Sequence, residues 1–158
     1  MTEYEYKYAE DIREIATEII KNDKDFRHID LNKVVVVRTE KHQKGEHVLG
    51  SCGFLSNRTQ FLTQKKYWIE FPPVFDELND AQKKIVVEHE LYHIPKDEKG
   101  IVPHDRGEFN KIIEKYGLDW IEVYKDAENK VKLLQDKEKI DKDIKKVDKK
   151  LKKDDVKH

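Results

Sequence analysis

His89, Glu90 and His93 stand in the order His-Glu-Leu-Tyr-His. On an α-helix, positions four apart share a face, so two imidazoles at this spacing can close on one metal ion with the carboxylate beside them. Neutral imidazole nitrogens suit Zn2+, and a catalytic zinc takes three protein ligands and keeps one position for water. The chemistry implied is metal-assisted hydrolysis. The metal lowers the pKa of its water and polarises a carbonyl, while Glu90 takes the water's proton as general base and passes it toward the leaving amine. Two histidines do not complete such a set, so a third ligand has to come from elsewhere in the chain.

The elements that would hold these residues can be read around them. Asn79 followed by Gln82 three residues later has the form of a capping box, and Ile85, Val86, Val87, Leu91, Tyr92 and Ile94 make the segment apolar enough for burial. Pro95 stops the helix at once, at about 15 residues. In the metzincin pattern the third ligand lies six residues after the second His, but that position is Lys99, which excludes this branch. A polar loop with Gly100 and Pro103 then leads to two candidates, His104 first and Glu108 as its competitor. Asp105 to Glu108 reads as a second capping box opening a helix from Phe109 to Tyr116, ended by Gly117. In that reading Asp105 is the N-cap or also orients an imidazole, and Arg106 is a surface residue of the first turn.

Taken together, His89 to His93 followed by Pro103-His104-Asp105 and Glu108-Phe109 resembles the SprT-like group of small zincin peptidases, and most closely the family of putative phage metallopeptidases. Residues from about Tyr8 to Tyr124 can be laid onto that family. The resemblance implies an α+β, zincin-like fold with an N-terminal helix, a small β-sheet, the motif helix and one further helix. It also implies His89, His93 and His104 as zinc ligands and Glu90 as general base. In zincins an edge strand lies along the cleft and pairs with extended substrate, which by resemblance makes Tyr67 to Phe71 the expected edge.

The remaining sequence is consistent with one such domain, 1–124, and a charged helical tail, 125–158. Ile12, Ile15, Ala16, Ile19 and Ile20 give an amphipathic helix over Ala9 to Lys21. Val34 to Val37, unbroken, predict a buried strand over Lys33 to Arg38. Thr39 to Val48 is a polar connection, Leu49 to Leu62 supplies one or two weaker strands, and Lys66 to Phe71 is a strand stopped by Pro72 and Pro73. His28 reads as a connector, and His42 and His47 as solvated loop residues. In the tail, Leu133, Ile140, Ile144, Val147 and Leu151 form a narrow seam with Lys137 inside it, which can fold back, dimerise or stay solvated.

Charge is segregated: the tail carries +4 and residues 1–124 carry −5. A Lys-rich surface can meet nucleic acid, but the interspersed acids argue against a strong phosphate-binding patch. Cys52 is the single cysteine, so a disulfide scaffold is excluded, and a buried free thiol is expected in preference to a fourth zinc ligand. The start of the chain has neither a basic nor an apolar run and no segment approaches membrane-spanning length, so a cytoplasmic protein without a membrane partner is expected. Two functions follow: a zinc endopeptidase acting on a protein or peptide, or a non-catalytic zinc protein that captures a protein or nucleic-acid partner. A variant of the first is a regulatory protease acting on one repressor or stress protein. The intact Glu90 favours the enzyme, because a structural site needs no base beside its metal.

Overall fold

The computed structural model describes residues 5–43, 47–104, 109–117 and 119–156. The chain is α+β. In order it forms β1 (Tyr6–Tyr8), α1 (Glu10–Asn22), β2 (Val34–Thr39), β3 (Ser51–Phe54), α2 (Asn57–Thr63), β4 (Tyr67–Phe71), α3 (Asp80–Tyr92), α4 (Asn110–Tyr116) and α5 (Trp120–Val156). The four strands make one mixed sheet in the order β1-β2-β4-β3.

Burial explains that order. Strand β4 alternates buried and half-buried residues and is flanked by β2, parallel, and β3, antiparallel. Its expected position as the cleft edge is therefore corrected. The apolar, aromatic Tyr67–Phe71 run is suited to a strand with ladders on both sides, and the edges fall to the short strands β1 and β3. The second weak strand expected before Leu62 is instead helix α2, started by the Ser56 hydroxyl accepting from the Thr59 N–H and closed by Gln64 at φ 60°. Its Phe61 and Leu62 point outward and remain exposed, so they gave an apolar run without a buried strand.

Helix α1 buries Ile12, Ala16 and Ile19 and packs on α3. Arg13 reaches from it to the carbonyls of Leu31 (2.8 Å) and Val34 (3.1 Å), fastening the helix to the entrance of β2. Helix α3 begins with the expected capping box: the Asn79 side chain accepts from Gln82 N and the Gln82 side chain accepts from Asn79 N. From Ile85 to Leu91 every residue of α3 is buried. Glu88 belongs to its outer face, where Lys115 Nζ (3.1 Å) and Tyr116 Oη (2.8 Å) donate to the carboxylate and hold α4 in place. Burial, the hydrogen bond to Glu88 and its charge push the Tyr116 hydroxyl up to about 12. Helix α5 runs through position 125 without interruption, burying Trp120, Ala127 and Val131.

At the β3 edge, Gly53 faces Trp68 across the ladder, and a Cβ on Gly53 would stand 2.1 Å from the indole ring. Gly53→Ala is therefore expected to destabilise the fold by about 1–3 kcal/mol through overpacking. Denaturant midpoints will test this: the cost should shrink when Trp68→Ala is added, and equal costs in both backgrounds would show that the ring is not its origin.

Candidate metal centre

The buried end of α3 presents His89, Glu90 and His93 to the interior, with His89 and Glu90 each 1% exposed and His93 8%. Three imidazoles meet there. His104 returns at the end of the following loop with its Nε2 2.7 Å from Nε2 of His89, and one nitrogen from each of His89, His93 and His104 lies within 4.8 Å of the other two. Tetrahedral zinc with bonds of about 2.0–2.1 Å separates its ligand nitrogens by about 3.3 Å, a spacing these atoms bracket. The Glu90 carboxylate stands 3.9 Å from Nε2 of both His89 and His93, on the side where those nitrogens converge. Among the described residues this is the group of His, Cys, Asp and Glu able to hold a metal.

The chain around His93 fixes its ring. Nδ1 donates to the Val102 carbonyl (2.6 Å), and Val102 N donates back to the His93 carbonyl (2.7 Å). This selects the tautomer that leaves Nε2 for a metal and makes that nitrogen a better donor to it. Burial, together with the charges that His89, His104 and His47 would carry, lowers the His93 pKa to about 4, partly opposed by the bond to Val102. His93 is therefore neutral at neutral pH, the state in which imidazole binds metal.

The loop carrying His104 is tied to the sheet at several points. Glu98 sits at φ 56°, in the left-handed region, and its carboxylate accepts from Lys33 Nζ (3.1 Å) and Lys66 Nζ (2.7 Å) at the starts of β2 and β4. Tyr67 Oη donates to the Gly100 carbonyl (2.9 Å), and His28 Nε2 donates to the Ile94 carbonyl (2.8 Å). Phe109, 6% exposed, packs its ring 4.9 to 5.3 Å from the three imidazoles, centroid to centroid, and gives the site an apolar wall. No local pattern announced Glu98 or Phe109 as part of the site, since a charged loop residue and an aromatic before a helix occur in many settings. His28 is more than a connector, because it holds the chain just after the second ligand.

One expectation changes at this end of the molecule. Helix α4 begins at Asn110, one residue later than expected, with Phe109, extended, at its N-cap and with no side-chain cap. The burial of the Phe109 ring beside the histidines holds that backbone extended. Asp105, Arg106 and Glu108 themselves lie outside the described residues. Gly117 ends α4 as expected, at φ 88°.

Strand β3 is the edge next to the centre. A Cβ on Gly50, the residue before β3, would stand 3.2 Å from Glu90 Oε1, so the small residue lets the strand approach the carboxylate. Cys52 is buried in β3, and burial first, then the Glu90 charge, pushes its thiol well up, as expected of an unreactive free cysteine. It is remote from the motif in sequence but near it in space. His47 is exposed, yet a charge on it would reach His93.

A family model described as Putative phage metallopeptidase matches residues 4–128. No curated protein and no solved structure matches the chain. No helix among the described residues is long and apolar enough to cross a membrane.

The hydrogen bonds from Lys66 and Lys33 hold the Glu98 carboxyl below its usual range, so its stabilising share is complete above about pH 4.5, the unfolded value, and is lost as pH falls through the folded one. Glu98→Gln is expected to cost on the order of 1 kcal/mol at pH 7, since the ion pairs are partly solvated. The difference from the parent should vanish in thermal unfolding at low pH. A constant difference down to pH 2 would rule out this ionic role.

Proposed function

The chain belongs to the putative phage metallopeptidase family, and from that premise we propose that it is a zinc-dependent endopeptidase of the SprT-like kind. The observation that carries this reading is the convergence of His89, His93 and His104 with the Glu90 carboxylate 3.9 Å from two of the imidazole nitrogens. In this reading His89, His93 and His104 hold Zn2+, which when bound supplies a Lewis acid and lowers the pKa of water. Imidazoles without a thiolate, one of them oriented by the Val102 carbonyl, are a donor set that suits zinc.

The residues of the chain do the proton work. Glu90 takes a proton from the attacking water and returns it to the departing amine nitrogen of the scissile bond. Its burial and the Phe109 wall keep bulk water from competing for that proton. Substrate lies extended along the β3 edge, whose outward side has no strand neighbour among the described residues. An open edge admits chain on both sides of the cut, which favours internal cleavage of a protein or peptide in the cytoplasm. A carboxylate built this close to the imidazoles favours catalysis over a purely structural metal or a capture role.

Glu90→Gln should retain one zinc per chain by elemental analysis while hydrolysis of a labelled unfolded protein falls by about 10²–10⁴. His104→Ala should lose zinc and, with it, the thermal stabilisation that a bound metal confers. Parent-like cleavage by Glu90→Gln would remove the general-base role. Undiminished zinc in His104→Ala would remove the third ligand.

A further inference from the structure

The family match ends at residue 128, and α5 continues to Val156. At about 1.5 Å per residue its 37 residues span about 55 Å. Trp120, Ala127 and Val131 face the domain and are buried, whereas Leu133, Ile140, Ile144, Val147 and Leu151 are 54 to 70% exposed. At about 100° per residue the exposed seam lies roughly 150° around the helix from the buried stripe. A continuous α5 therefore cannot turn the seam onto its own domain while Trp120, Ala127 and Val131 remain packed.

The charges beside the seam narrow the choice. With Leu133, Ile140 and Val147 at one core position of a heptad and Lys137, Ile144 and Leu151 at the other, the flanking positions hold Asp136, Asp141, Asp143 and Asp148 beside Leu134 and Lys150, a net acidic border. Asp143 and Asp148 border the same shallow groove as Ile140, Ile144 and Val147. The lysines 139, 142, 145, 146 and 149 occupy the opposite face. A parallel pair of these helices would oppose Asp136 to Asp141 and Asp143 to Asp148, and would bury Lys137 against its copy. Parallel self-pairing is thus disfavoured by the same residues that would favour a partner with basic flanks.

We infer that the seam from Leu133 to Leu151 docks an amphipathic helix of a different protein, one that carries Lys or Arg on both sides of its apolar stripe. Recognition is heterotypic. The apolar residues give the contact, and the four aspartates select against acidic helices and against a parallel second copy. The surface is distant from the metal centre, and this inference does not depend on the proposed activity.

The test uses the full chain and two synthetic three-heptad helical peptides that share Leu core positions but carry Lys or Glu at the flanks. Binding is read by fluorescence anisotropy at neutral pH. The Lys-flanked peptide should bind on the order of tenfold more tightly, as four exposed ion pairs allow, and should weaken as salt is added. Ile140→Ser with Ile144→Ser should abolish binding while zinc content and helicity stay unchanged. Replacing Asp136, Asp141, Asp143 and Asp148 by Lys should reverse the preference. The inference is overturned if both peptides bind equally, if neither binds, or if sedimentation shows the parent chain dimerising through these same isoleucines.

Discussion

The site depends on one reciprocal pair of hydrogen bonds. His93 is the C-cap of a helix whose last two turns are buried, where a free carbonyl would carry a large desolvation cost. Val102 removes that cost by donating to the His93 carbonyl and accepting from its Nδ1. The same exchange orients the second imidazole, and it anchors the chain two residues before the third. Backbone satisfaction and ligand geometry are therefore one requirement. A loop that relieved the end of α3 in some other way would not bring His104 back to His89.

Helix α3 also has to divide consecutive polar residues between two environments. Glu88, His89 and Glu90 are all 1% exposed, but successive positions differ by about 100° around the axis. Glu88 meets Lys115 and Tyr116 on α4 and so serves packing, while His89 and Glu90 turn toward His104 and the β3 edge. The capping box at Asn79 fixes the helix start and thereby supports this division. A shift by one residue would, according to its direction, put Glu88 into the metal centre or His89 against Lys115.

Most of the fold was legible where the signal is local. The 3- and 4-residue spacings of α1, the unbroken valines of β2, the Asn79 cap and the stop at Pro95 each specify conformation within a few residues. Features that depend on distant partners were not legible in this way. Strand β1 is exposed along its length and exists through its ladder to β2. The place of β4 inside the sheet, the pairing of Glu98 with Lys33 and Lys66, and the Phe109 wall are settled by residues more than ten positions away or by the fold of the loop. In the site, the motif and its order were readable, and the proximity of His104 to His89 is geometry that spacing alone could only suggest. The aromatic strand expected at the edge illustrates the difference. Its residue types reported burial correctly, but strand order is set by which neighbours can pair with it.

The tail shows why net charge is a poor guide to what a helix will meet. Thirteen lysines over residues 125–158 give a positive segment, which by itself points toward polyanions. Arranged on α5, the lysines 139, 142, 145, 146 and 149 lie away from the apolar seam, and the aspartates stand beside it. A ligand that covers hydrophobic area must approach the seam and therefore meets these four aspartates, against the two lysines 137 and 150 in and beside it. Apolar burial supplies affinity in proportion to area, whereas the flanking charges change the sign of the interaction with alternative partners. The direction of the charge on the helix, and not its sum, decides which surface can be shared.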